Sequence, residues 1–174
     1  MNERHAEVRT FRFGRGQDWT INSKTWSSAR VDADPGQCKI EVWNLVNAGN
    51  WVHPVHIHLI DFQILDRNGL EPPQYERGWK DVVLLKEFET VRVVARFGPH
   101  RGKYMMHCHN LVHEDHDMMN QFEVGKGGPD PLSDRAKPLL APPLGSTKPP
   151  ILLEECLPCA CFEQLPNSCP KQET

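Results

Sequence analysis

The stretch Tyr104 to Met119, YMMHCHNLVHEDHDMM, constrains this chain more than any other. It sets His107, Cys108, His109, His113, His116 and Met118 within twelve residues, behind an apolar segment that reads as a buried strand. Successive side chains of a strand point to opposite faces, so Cys108 faces one way while His107 and His109 face the other. One strand can then serve two separate sites.

On the Cys108 side, a thiolate followed by His113 and Met118 supplies three of the four ligands of a blue-copper centre, which takes two His, one Cys and a weak axial Met. The missing imidazole comes from His53-Pro54-Val55-His56-Ile57-His58, where alternation sets His53 opposite to His56 and His58. His53, Cys108, His113 and Met118 are therefore expected to form one complete mononuclear site. His56, His58, His107 and His109 remain on the far side, too many for accident and too few to finish a three-copper cluster. Zinc is the plainer alternative for clustered His and Cys, but zinc needs four ligands and has no use for Met at this spacing.

The rest of the chain reads as short strands. Phe11 and Phe13 alternate with Arg12, Trp19 to Trp26 reads as a hairpin around Asn22-Ser23, and Pro35-Gly36 marks a turn. From Gln37 to Val46 the expected core face is Cys38, Ile40 and Val42, with Cys38 a buried free thiol. The first histidine motif is expected to continue as a strand over Leu59 to Leu65, ended by Asp66-Arg67-Asn68-Gly69. Val82 to Leu85 is a continuous apolar run suited to a sandwich interior. Val91, Val93, Ala95 and Phe97 alternate with Arg92 and Arg96, and a final strand runs through Phe122 and Val124. About eight strands with no amphipathic helix predict an all-β, Greek-key β-sandwich.

A chain of 174 residues fits one domain and a tail. The domain is expected over residues 1–126 and an irregular, extended Pro-rich and Cys-containing tail over 127–174. Cys156, Cys159, Cys161 and Cys169 in that tail would allow two disulfides or a small metal knot. A net charge of −3 without a basic run gives no reason to expect a nucleic-acid partner. No apolar run reaches a membrane span, so no membrane partner is expected. The opening MNERHAEVRTFRFGRG lacks a signal-peptide core, so the chain is expected to be intracellular or to lack its true beginning.

HPVHIH followed by HCHNLVHEDHDMM resembles the C-terminal cupredoxin domain of a multicopper oxidase, and the form of both motifs is most similar to the bilirubin oxidase branch. The resemblance runs from about Arg9 to Val124 and includes Thr10-Phe11-Arg12-Phe13-Gly14 and Lys80-Asp81-Val82-Val83. Laccases usually carry Gly-His after the first motif, where this chain has Leu59-Ile60-Asp61-Phe62, which favours the bilirubin-oxidase-like branch.

The resemblance implies a cupredoxin-like domain that oxidises a bilirubin-like or phenolic donor at a type 1 copper. Electrons would pass to a trinuclear copper cluster that reduces O2 to water. It implies that His56 serves the type 2 copper and that His58, His107 and His109 serve the type 3 pair. Further ligands would come from N-terminal cupredoxin domains or a second subunit, since the sequence holds no further His-x-His pairs. It also implies a secreted or extracytoplasmic setting, and it matches Glu114 to an acidic residue near the oxygen-reducing site, where a carboxylate relays protons. The plainer reading of Glu114 is a solvated loop acid.

Two other functions stay open: a stand-alone type 1 copper electron carrier, and an inactive fragment without its N-terminal domains. Trp51, two residues before His53, is expected either to shape donor access or to pack in the core. His5, His100 and His116 are expected at the surface, and Met105, Met106 and Met119 as core or gap-filling residues.

Overall fold

The structure, a computed structural model, describes residues 6–126. The expected 127–174 tail with its cysteines, and His5, lie outside the described residues. The strands are β1 Glu7–Arg15, β2 Trp19–Ile21, β3 Ile40–Asn47, β4 His53–Ile57, β5 Phe62–Arg67, β6 Val82–Leu85, β7 Thr90–Arg96, β8 Gly102–Cys108 and β9 Met119–Val124. They form a five-stranded sheet ordered β2-β1-β3-β7-β5 and a four-stranded sheet ordered β6-β4-β8-β9. From β3 to β8 the chain changes sheet at every connection, and β1 runs parallel to β3. This is the expected β-sandwich, with one core between the two sheets.

Trp43 anchors that core, with ring centres 4.6 Å from Phe11, 4.8 Å from Phe97 and 5.4 Å from Phe122. It is 1% exposed, and burying an aromatic of its size contributes about 4–6 kcal/mol of gross apolar transfer. Val91, Val93, Ala95 and Phe97 join the core as their alternation predicts.

Several expectations need correcting. The face of β3 that enters the main core is Trp43 and Leu45; of the expected Cys38, Ile40 and Val42, only Val42 is buried, at 3% exposure on the opposite face, and Ile40 is half-buried. Glu41 shares the Trp43 face at 1% exposure, held by Arg9 Nε at 2.8 Å and Trp43 Nε1 at 2.8 Å. A buried carboxylate paired this way inverts the polarity on which the parity reading relied. Cys38 lies before β3 at φ +64° and is disulfide-bonded, not a free thiol.

The expected Leu59–Leu65 strand begins only at Phe62, because the backbone turns at Leu59, φ +74°. Among Val82 to Leu85, Val83 and Leu85 enter the core while Leu84 is 46% exposed, since β6 is an edge strand with one buried face. The Trp19–Trp26 hairpin contracts to one bridge, Ile21 to Lys24, across Asn22 and Ser23 at φ +53° and +60°. β2 pairs with β1 instead. A one-turn helix, α1 Leu111–Asp115, also interrupts the expected all-strand pattern.

Candidate metal centre

β4 and β8 pair antiparallel with Val55 opposite Cys108 and His56 opposite His107. Alternation along both strands then sends Cys108 and His53 inward and His56 and His107 outward. The Cys108 Sγ lies 3.5 Å from His53 Nδ1 and 3.4 Å from His113 Nδ1, and the two Nδ1 atoms are 3.2 Å apart. All three residues are buried.

His113 reaches this point because the chain reverses direction after β8. Asn110 caps α1, its Oδ1 accepting from Val112 N at 3.1 Å, and its carbonyl accepts from Glu114 N at 2.9 Å. Of the residues in α1 only His113 is buried. The return stretch is pinned to the same place: Cys108 N donates to Met118 O at 3.1 Å and Met118 N donates to His113 O at 3.1 Å. Met118 is fully buried beside this group.

Burial shapes the electrostatics here. It lowers the His53 pKa to about 4, with His113 adding to the effect, and lowers His113 as well, with Arg15 and His116 adding. Both imidazoles are thus neutral, with lone pairs available. Burial pushes the Cys108 thiol up to about 11; a backbone hydrogen bond at Asn110 opposes this and the Glu114 charge adds to it.

On the opposite face, His58 Nε2 lies 3.2 Å from His107 Nε2. The His56 ring centre is 4.9 Å from that of His58 and 5.5 Å from that of His107. His56 Nδ1 faces the Asp81 carbonyl at 2.9 Å and His107 Nδ1 faces the Cys108 carbonyl at 3.3 Å. A proton assigned to each Nδ1 leaves both Nε2 atoms free to bind a metal. His58 sits one residue past β4, its N–H on Met105 O at 3.0 Å. His109 lies past β8, its ring centre 5.4 Å from His107 and 6.2 Å from His56, with 55% of its side chain exposed. It stands beside the His56, His58 and His107 group rather than inside it.

Glu114 follows His113 but faces the other group, Oε1 lying 3.5 Å from His107 Nδ1 and Oε2 3.8 Å from His109 Nδ1. Its Oε2 is enclosed without a hydrogen-bond partner, while 27% of the side chain as a whole stays exposed. Burial lowers the pKa of His58 and of His107, and the Glu114 charge opposes this at both.

Trp19 and Arg15, which motif spacing did not single out, join Trp51 beside the sulfur site. Trp19 stacks on His113 with ring centres 3.6 Å apart. Trp51, 48% exposed, stands edge-on to Trp19 at 5.5 Å and to His113 at 6.0 Å. The Arg15 guanidinium lies 4.7 Å from the Trp19 ring centre and 5.9 Å from that of Trp51. These side chains, with Gly49, Asn50 and His53, line a cavity of about 310 Å³. Trp51 therefore forms a surface wall and is not core. His100 and His116 are exposed, and His116 Nδ1 lies on Val112 O at 2.6 Å. Met106 is fully buried.

The donor set tests which metal fits. One sulfur and two neutral imidazoles, with Met118 buried and bonded through its backbone to Cys108 and His113, suit copper, whereas magnesium and calcium take oxygen ligands. The three imidazoles across the strand suit copper or zinc.

Comparison with known proteins agrees with this chemistry. Over 124 residues the chain is 50% identical to bilirubin oxidase of Albifimbria verrucaria, covering 67% of this chain and 22% of that protein. Over 148 residues it is 33% identical to a laccase of Bacillus subtilis, covering 71% of this chain and 29% of that one. The fold superposes on McoA multicopper oxidase from Aquifex aeolicus with a TM-score of 0.68 at 29% identity, covering 72% of this chain and 30% of that one. The laccase from Pediococcus acidilactici gives 0.68 at 32% identity, covering 71% and 28%. The chain thus spans only about a fifth to a third of the length of these relatives. Residues 3–128 match the family model described as multicopper oxidase, and with a sandwich that sets a Cys/His site and a His cluster on opposite faces of one strand, the chain belongs to the multicopper oxidase family.

Proposed function

We propose that this domain takes electrons from an organic donor, bilirubin-like or phenolic, at a type 1 copper held by His53, Cys108, His113 and Met118. It hands them to a trinuclear site of which His56, His58, His107 and His109 form one half. His56 belongs to the type 2 position and His58, His107 and His109 to the type 3 pair. N-terminal cupredoxin domains or a second subunit supply the other half. Copper bound in these positions supplies one-electron redox chemistry and, at the shared cluster, the reduction of O2 to water.

The opposite facing of Cys108 and its two neighbours carries this reading. Sulfur and imidazoles are joined through one strand backbone, and the Cys108 carbonyl lies 3.3 Å from His107 Nδ1. An electron therefore has a covalent route and a hydrogen-bonded shortcut between the two faces. The neutral state of His53 and His113 keeps both nitrogens ready to bind, and the dry surroundings of the thiol hold water away from the sulfur.

The donor meets the cavity between Arg15, Trp19 and Trp51, because His53 and His113 are 1% and 2% exposed and out of direct reach. Arg15 above two indoles suits a planar aromatic donor bearing negative charge. In this reading Glu114 relays the protons that oxygen reduction consumes, and its approach to His107 at 3.5 Å and to His109 at 3.8 Å supports that role.

The test is oxygen uptake by the copper-loaded chain assembled with the family's N-terminal domains, using bilirubin and a phenol as donors. Uptake with either is the expected result, and uptake with neither overturns the proposal. A blue, reversible one-electron protein that takes up no oxygen in that assembly would instead be an electron carrier.

A further inference from the structure

Asn47 ends β3 and is 2% exposed, and its hydrogen bonds go to Trp51, Lys86, Gly49 and Glu89 rather than to a candidate metal ligand. Its Nδ2 donates to Trp51 O at 2.5 Å and to Lys86 O at 2.8 Å, while its Oδ1 accepts from Gly49 N at 2.9 Å. Its backbone N–H donates to Glu89 O at 2.8 Å. Both amide protons and the amide oxygen are thus committed, and two of the three side-chain bonds return to the short loop between β3 and β4.

Besides the edge contacts of the Trp51 ring with Trp19 and His113, that loop is held by two further backbone bonds. Ala48 N reaches Phe13 O at 3.1 Å and Gly49 O accepts from Phe88 N at 3.0 Å, but Asn50 and the Trp51 ring lie toward solvent. Gly49, Asn50 and Trp51 are also one wall of the cavity beside His53. The Trp51 carbonyl is therefore fixed from inside the protein while its ring faces the donor side. Only an amide side chain offers this set of bonds, and asparagine offers it at the shortest reach: a carboxylate would oppose two carbonyl oxygens, and an apolar residue would leave two carbonyls and the Gly49 N–H unpaired.

We propose that Asn47 is a positioning residue that sets the Trp51 wall of the donor cavity, and so decides which organic donors approach closely enough to deliver an electron. This rests on the function proposed above. It separates recognition of large aromatic donors, which need the wall, from electron uptake as such, which does not.

The test uses the full chain. In the metal-free wild type, amide hydrogen exchange at Gly49 is expected to be slowed well below the rate of an unstructured peptide; exchange at the unstructured rate overturns the proposal without any variant having to fold. In Asn47→Ala, acrylamide quenching of the Trp51 fluorescence, isolated by subtraction of the Asn47→Ala/Trp51→Phe double variant, is expected to rise; no change overturns it.

With copper loaded, stopped-flow reduction by a bulky aromatic donor is expected to show about tenfold weaker half-saturation in Asn47→Ala. The limiting rate, and the rate with hexacyanoferrate(II), should stay within about twofold. The half-saturation effect should vanish in a Trp51→Ala background. The same factor in that background, or equal slowing with every donor, would reduce Asn47 to a merely structural role and overturn the proposal. A wild type that binds copper but accepts electrons from no organic donor removes the proposed function, and the donor role of Asn47 with it. The hydrogen exchange and quenching arms keep the two failures distinct.

Discussion

Trp19 lies almost flat on His113, ring centres 3.6 Å apart and planes inclined by 23°. The pairing of β2 with β1 carries it there, with Ile21 opposite Phe13 and Trp19 opposite Arg15. It closes one side of His113, whose Nδ1 lies 3.2 Å from His53 Nδ1 and 3.4 Å from Cys108 Sγ. The indole is itself 7% exposed, so it is both a core residue and the lid of the sulfur site.

Trp19→Ala is therefore expected to destabilise the fold by about 3–5 kcal/mol, as for other buried aromatic truncations. Trp19→Phe keeps a ring on His113 and should lose less than half of that. Urea unfolding of the metal-free chain measures both, and a loss below about 1 kcal/mol for Trp19→Ala would show that the indole is not packed as described.

Metal uptake should carry a pH signature. The Cys108 thiol, pushed up to about 11, is protonated across the neutral range, whereas His53, down at about 4, is already neutral. A divalent ion that binds the sulfur must displace one proton from Cys108 and none from His53. Affinity for cobalt(II) should then rise about tenfold per pH unit from roughly pH 7 to 10. Calorimetry in buffers of different ionisation enthalpy counts the protons released at pH 7.5. Zero released, or two, contradicts the assignment.

The same burial makes the metal-free fold acid-sensitive. The folded pKa of His53, about 4, lies below its ordinary value of 6.5, so between these values the unfolded chain binds the proton and the folded one does not. The His53 contribution is fully present above pH 6.5 and is lost as pH falls from 6.5 to about 4. Unfolding midpoints of wild type and His53→Gln across that window should diverge, the wild type falling more steeply with acid. Parallel curves would show that His53 is not held neutral by the fold.

Glu114 separates the two halves of the proposed chemistry. In the assembled oxidase, Glu114→Gln should lower oxygen turnover by about 10²-fold or more, the scale of a lost proton-transfer group. Reduction of the sulfur-bound copper by donor should stay unchanged. Stopped-flow reduction and oxygen-electrode rates distinguish these, and equal slowing of both would place Glu114 in a structural role.

Much of this was legible in sequence because strands translate spacing directly into facing. The period of two along His53–His58 and Tyr104–His109 separated the residues that the structure brings together around Cys108 from those it gathers around His107. It failed at β3, where Glu41 is buried by pairing with Arg9 and Trp43, so a charged position lies inward. It also failed at Leu59, where a positive φ ends the strand without any Gly or Pro to announce it. α1 is too short for a 3.6-residue period to register. Trp19 and Arg15 come to the site through the pairing of β2 with β1, far in sequence from both histidine motifs, and a linear pattern holds no record of that.

Copper titration of the wild-type chain followed by optical absorption bears most directly on the division of one strand between two metal sites. An intense thiolate-to-copper band is expected to saturate at about one copper per chain. It should disappear in Cys108→Ser and in His53→Ala and remain in His56→Ala and His107→Ala. A band that survives Cys108→Ser, or that is lost in His107→Ala, would contradict it.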